Sequence, residues 1–123
     1  MDRIAPHAAR ASLGRAGEDA AAALYARRGF RIVARNWRCG LGELDLIVER
    51  EGVFVFCEVK ARRGDGFGGG HEAVTALKQR KLRQLAEVFV ATGHVSHENL
   101  RFDVASVHVG RRGTSVELFE DAF

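Results

Sequence analysis

The stretch FVFCEVKAR, residues 54–62, sets a carboxylate and an ammonium one residue apart at the end of a run built for burial. Phe54, Val55, Phe56, Cys57 and Val59 have the bulk and β-propensity of a strand packed on both faces. Taking a charge out of water is costly unless it is paired or bound to a cation, so Glu58 and Lys60 need a partner or a surface. The preceding residues offer one. If Glu51 and Gly52 form a two-residue turn, Arg50 faces Val53, Asp45 faces Glu58 and Glu43 faces Lys60. Opposed side chains share a face, about 5 Å apart at Cβ. The other face then collects Leu44, Leu46, Val48, Val53, Val55, Cys57 and Val59 without a polar exception. A one-residue slip would scatter the acids and mix charge into that face.

Two carboxylates so close repel each other when ionised and call for a cation between them. Lys60 alone leaves an excess of negative charge against Asp45, Glu58 and Glu43. Oxygen ligands of this kind suit Mg²⁺ or Mn²⁺, which bind through a few carboxylates, waters and a substrate phosphate. Lys60 would stand beside the cation, placed to orient or deprotonate a water or to steady phosphate charge. The chemistry is metal-assisted phosphodiester hydrolysis. A salt-bridged patch at a sheet edge is the other reading, and spacing alone does not separate them.

The elements that must hold these residues follow from pattern. Leu13 to Gly29 is alanine-rich, with Arg27 and Arg28 late and Gly29 as its stop, which predicts a helix. Phe30–Trp37, Glu43–Glu49 and Val53–Ala61 read as strands, the last two joined as a hairpin. Arg62 to Gly70 is a glycine-rich loop with two leading arginines. Glu72–Thr92 carries Val74, Leu77, Leu82, Leu85, Ala86, Phe89 and Val90 at helical spacing, and Leu100–Val109 and Ser115–Phe119 close the chain as strands. The expectation is one α/β domain of order α-β-β-β-α-β-β over residues 13–123, after a flexible leader of residues 1–12.

Composition bounds the rest. A chain of 123 residues, 46% hydrophobic and 28% charged, is one ordinary globular domain, with no apolar run long enough to span a membrane and no secretory signal. Cys39 and Cys57 have no CxxC partner, which argues against a zinc or disulfide framework and points to a reduced, cytoplasmic setting. His94 and His97, three apart, read as part of a polar loop. From Lys60 to Arg83, seven positive residues stand against Asp65 and Glu72, a local +5 within a chain of net charge +3. That concentration suits a phosphate backbone, and a basic face that merely confers solubility is the alternative.

Asp45, then Glu58-Val59-Lys60 at a hairpin, after a helix bearing Glu18, resembles the PD-(D/E)xK nuclease superfamily. The blocks GRAGEDAAAALYARRGFRIVARNWRC, GELDLIV, FCEVKAR and AVTALKQRKLRQLA together resemble the YraN family, small bacterial proteins similar to archaeal Holliday junction resolvases. The match runs over residues 13–106 in order, and four linked blocks are far more specific than a lone ExK. The resemblance implies a restriction-endonuclease-like core, a mixed sheet flanked by helices, acting on DNA that is branched or single-stranded. It makes Asp45, Glu58 and Glu18, with the Val59 carbonyl, the metal ligands and Lys60 the catalytic lysine. Asp19, turned about 100° from Glu18 on a helix, would face solvent. Arg62, Arg63, Lys78, Gln79, Arg80 and Lys81 are the expected nucleic-acid contacts. The superfamily's proline before the first acid is replaced by Leu44, a position with no chemical role. Resolvase-like proteins pair as symmetric dimers, so a homodimer is a further expectation. A non-catalytic binding or docking module on the same fold remains the competing reading.

Overall fold

Residues 6–27 contain no β-branched side chain and are rich in alanine, and they form the first helix, α1 (Pro6–Arg27). The helix starts at Pro6 rather than at the predicted Leu13, since proline's fixed φ suits the first turn. It stops where expected, with Gly29 at φ 87°. The computed structural model describes residues 6–64, 74–94 and 99–123. Most of the predicted glycine-rich loop, from Asp65, lies outside the described residues, as do Glu72 and His97.

Five strands follow: β1 (Arg31–Cys39), β2 (Gly42–Arg50), β3 (Val53–Arg63), β4 (Leu100–Gly110) and β5 (Gly113–Phe119). The second helix, α2 (Ala76–Phe89), lies between β3 and β4. The order is the one expected from the sequence, and the strands form one sheet in sequential order with a single parallel pair, β3 and β4. A parallel pair needs a crossover, and α2 supplies it. The β2–β3 hairpin has the inferred turn: Glu51 and Gly52 both take positive φ, and Arg50 pairs with Val53. β3 runs past its predicted end at Ala61, so Arg62 and Arg63 are strand residues pairing with His108 and Val109.

Alternation along β2 and β3 splits the core. Leu46, Val48, Val55 and Cys57 pack with Ala21, Ala22 and Tyr25 of α1. Ile47, Phe54 and Phe56 pack with Phe102, Val104 and the Leu82, Leu85, Ala86 and Phe89 stripe of α2. The helices therefore cover opposite faces of a mixed sheet. Trp37 belongs to this second core, edge to face with Phe89 at 5.3 Å between ring centroids. Leu77, predicted within the α2 stripe, is instead 71% exposed, because the stripe meets the sheet only from Leu82 onward.

Leu44 departs from the expected pattern: it packs on the α2 side with Trp37 opposite it, not beside Leu46 on the α1 side. Between the Arg35↔Leu46 and Trp37↔Leu44 pairs stand Asn36 and Asp45, and Asn36 has φ 52°. This local twist turns the strand over and interrupts strict alternation.

On the α1 side a carboxylate is fully buried. Asp103 accepts hydrogen bonds from Tyr25 Oη at 2.6 Å, from Arg101 Nε and Nη2, and from the Asp121 N–H. With both oxygens satisfied it ties α1, β4 and the chain end together. Midway along α1, Gly17 brings the helix close to β3: a Cβ there would lie 2.6 Å from Ala61 Cβ. Replacing Gly17 with Val should force α1 off β3 and lower stability by about 1–3 kcal/mol in a denaturant melt, a loss that Gly14→Val, with open space around it, should not reproduce.

Candidate active site

β3 lies at the centre of the sheet, and the site forms where its pairing with β2 ends. The β2–β3 ladder runs from Arg50↔Val53 to Leu46↔Cys57. Beyond it Asp45 turns its carboxylate onto β3. Its Oδ2 accepts the Val59 N–H at 2.9 Å, and its carboxyl is hydrogen-bonded to that of Glu58. The sequence pairing put these two acids together as facing residues. They meet instead through the parting of the strands, with a backbone N–H of β3 as the anchor. Glu43, expected opposite Lys60, forms an ion pair with Arg38 at 3.2 Å.

Burial pushes Glu58 up to about 7, and the Asp45 charge beside it pushes the same way; Lys78, then Lys60, oppose the shift. Asp45 is also raised, by burial first, with the Val59 N–H as the main counterweight. Both acids of the pair therefore resist ionisation, Glu58 the more.

Glu18 approaches from α1. Its Oε1 accepts from Asn36 Nδ2 at 3.0 Å, with an Arg35 guanidinium nitrogen at 3.9 Å. Burial raises its pKa, and the nearby Asp45 and Glu43 charges add to the rise. Its side chain is 13% exposed against 67% for Asp19, which points to solvent and pairs with Arg35 at 2.6 Å. Glu18, Asp45 and Val59 line one open cavity of about 290 Å³, closed by Arg10, Leu13, Gly14 and Ala61.

Lys60 is half-buried, two residues beyond Glu58 on the same side of β3, and close enough to favour the ionised form of Glu58. From the first turn of α2, Lys78 Nζ lies 3.8 Å from Glu58 Oε1. That turn is set by Thr75, whose hydroxyl accepts the Lys78 N–H. The other expected contacts spread out. Gln79 Nε2 donates to the Val74 carbonyl at 2.8 Å, so it braces the entry to α2. Arg80 is exposed, and Lys81 is half-buried against Gly42. Arg62 and Arg63 sit at the end of β3, half-buried and exposed respectively.

Three residues that sequence reasoning passed over shape the site. Asn36 and Arg35 hold Glu18, and asparagine's tolerance of positive φ was the one signal available. Ser106, beside Lys60 in the parallel β3–β4 ladder, is fully buried, its hydroxyl without a hydrogen-bond partner among the described residues.

Among the described residues no three His, Cys, Asp or Glu side chains are gathered closely enough to hold a metal by themselves. The donor set is the Asp45–Glu58 pair with Glu18 nearby. That fits Mg²⁺ or Mn²⁺, which take one or two carboxylates and complete their shell with water and phosphate.

The fold and these acids define a class: a mixed α/β sheet of the PD-(D/E)xK type, its acids and lysine gathered where β2 and β3 part. Within that class the match is specific. The profile of the uncharacterised protein family UPF0102 covers residues 17–107, and the chain belongs to that family, the YraN family its sequence blocks resemble. It is 50% identical over 104 residues to a UPF0102 protein of Mycolicibacterium smegmatis, covering 83% of this chain and 84% of the relative. A UPF0102 protein of Symbiobacterium thermophilum is 46% identical over 112 residues, 90% of this chain and 95% of its own. One from Streptomyces griseus is 44% identical over 109 residues, 88% and 92% respectively.

The raised Glu58 makes a stability prediction for the protein in chelator. An acid whose pKa is higher folded than unfolded stabilises the fold while protonated, and that contribution is lost as pH rises through the folded value. The melting temperature should therefore fall, on the order of 5 °C, between about pH 4.5 and pH 7, and Glu58→Gln should flatten that slope.

Proposed function

We propose that this protein is a divalent-cation-dependent endonuclease that hydrolyses DNA phosphodiesters, on branched or single-stranded substrates. The observation that supports it is the Asp45–Glu58 pair: two acids in hydrogen-bonding contact, both resisting ionisation, with Lys60 next along the strand. Asp45 and Glu58 would hold Mg²⁺ or Mn²⁺, whose charge would offset their mutual repulsion. Such a cation supplies charge neutralisation at the phosphate and a more acidic water.

The chain's own groups do the rest. Val59 N–H and the break in the ladder fix Asp45. Asn36 and Arg35 orient Glu18 toward the cavity as a third acid. Lys60, as an ammonium, orients the attacking water and steadies the developing phosphate charge. Lys78 leaves Glu58 for a substrate phosphate, and Arg62, Arg63, Arg80 and Lys81 carry the strand on either side. Two copies of the chain would meet the two strands of a branched duplex.

The Lys78–Glu58 contact also favours a second reading, a DNA-binding module in which that lysine permanently neutralises the acid. Cleavage of labelled single-stranded, duplex and four-way branched DNA in Mg²⁺ or Mn²⁺ separates the two. On the first reading Asp45→Asn should lower turnover by at least about 10³-fold while DNA affinity in chelator stays within about threefold of wild type. Cleavage retained in that variant would remove Asp45 from the role. Salt-sensitive binding without turnover on any of these substrates would select the second reading.

A further inference from the structure

Beyond the acids, the same end of the sheet collects arginines from two distant parts of the chain. The parallel β3–β4 ladder runs on from Lys60↔Ser106 to Arg62↔His108 and Arg63↔Val109, and the Gly64 N–H closes onto the Val109 carbonyl at 3.1 Å. β4 then turns into β5 through Arg111-Arg112, between the paired Gly110 and Gly113. Arg62-Arg63 and Arg111-Arg112 are thus neighbours in space. Between them lies an open cavity of about 360 Å³ lined by Arg63, Gly64, Val109, Gly110 and Arg111.

Two properties combine with this convergence; Arg15, Arg27 and Arg80 are also exposed and outside the ion pairs among the described residues, but they do not line the cavity. Arg28, Arg31, Arg35, Arg38 and Arg101 are ion-paired with acids, whereas none of the ion pairs among the described residues uses Arg63, Arg111 or Arg112. All three are exposed, and the tip HVGRRGT, residues 108–114, contains no acid. Tight turns favour Gly, Asn and Asp, and adjacent arginines there repel each other, so local folding gives no reason for this pair. The glycines beside the cavity leave its walls without side chains, so a phosphate could approach the backbone while guanidiniums flank it on both sides.

We propose that the β4–β5 hairpin tip, with Arg63, Arg111 and Arg112, is a second DNA-backbone contact that continues the active-site track. It rests on DNA as the substrate but not on catalysis. Arg63 lies three residues along β3 from Lys60, a reach of ~10 Å. At one phosphate per ~3.4 Å of helix axis per strand, that distance places the clamp about three phosphates from the bond to be cut.

The test is fluorescence anisotropy of labelled single-stranded, duplex and four-way DNA with the full chain in chelator, across a salt series. Wild type is compared with Arg111→Ala/Arg112→Ala and with Arg27→Ala/Arg28→Ala. The second pair removes the same charge near the β2–β3 turn, at the opposite end of the sheet, where Arg50 bonds the Arg28 carbonyl. The tip variant should bind about tenfold or more weakly, with a log–log salt slope shallower by about two on duplex. The control should stay within about twofold. A loss confined to duplex or to single strand identifies which form the tip grips. The tip variant should melt with wild type, since the tip arginines make no ion pair within the described residues, and the control, which loses the Arg28–Glu120 pair, is assayed below its own melting temperature. Equal affinity of the tip variant and wild type, or an equal loss in both variants, overturns the proposal. Binding that depends on the tip without cleavage by wild type sinks the nuclease reading alone, and no binding by wild type to any DNA sinks both.

Discussion

Asp45 and Glu58 share a hydrogen bond where both are largely shielded from water, and each makes the other harder to ionise. An isolated pair of this kind would be pushed apart or buried as neutral acids. Here it is held by three constraints: the Val59 N–H on Asp45, the end of the β2–β3 ladder at Leu46↔Cys57, and Lys78 reaching in from α2. The surrounding fold can be understood as what keeps those constraints in place. The α2 stripe anchors the helix so that its first turn projects over Glu58, and Gly17 lets α1 lie close enough to β3 to present Glu18.

The burial that raises these acids comes from the apolar halves of the same strands. β3 changes character midway: Val53 to Cys57 are packed against both helices, and from Glu58 onward every residue is partly open. This gradient lets one strand both anchor the core and carry the paired acids. Dense packing behind the site limits relaxation that would separate the acids, while the front stays open. The Tyr25–Asp103–Arg101 network, by contrast, is a closed polar cluster with its carboxylate fully buried and satisfied, and it needs no cation. The two acidic centres differ in how many hydrogen-bond donors the fold provides, which is why one can remain stable alone and the other invites a ligand.

Charge follows the same geometry. Near the β2–β3 turn Arg28 and Arg31 are held in ion pairs with Glu120 and Glu49, whereas the end beyond Lys60 leaves Arg63, Arg111 and Arg112 unpaired among the described residues. The basic groups at that end lie along the strand from the acids and partly offset their negative field.

Much of this was legible in the residues themselves. A turn of Glu51 and Gly52 and alternating apolar positions are local facts, so the hairpin, the element order and the two-sided burial of β3 followed from spacing. The family blocks were equally local, and their order along the chain specified the family. What spacing could not carry was any deviation from ideal alternation. Beside Asn36 at positive φ, Leu44 turns to the other core, and past Leu46↔Cys57 the β2–β3 ladder ends, so Asp45 meets β3 by a route that strict pairing does not contain. Contacts between residues far apart in sequence were likewise a matter of tertiary packing: Lys78 on Glu58, Asn36 on Glu18, and Arg111 beside Arg63. Sequence periodicity determines which side of an element is apolar; which polar groups then meet depends on how whole elements dock, because side-chain electrostatics act over a few ångströms that only the folded chain sets.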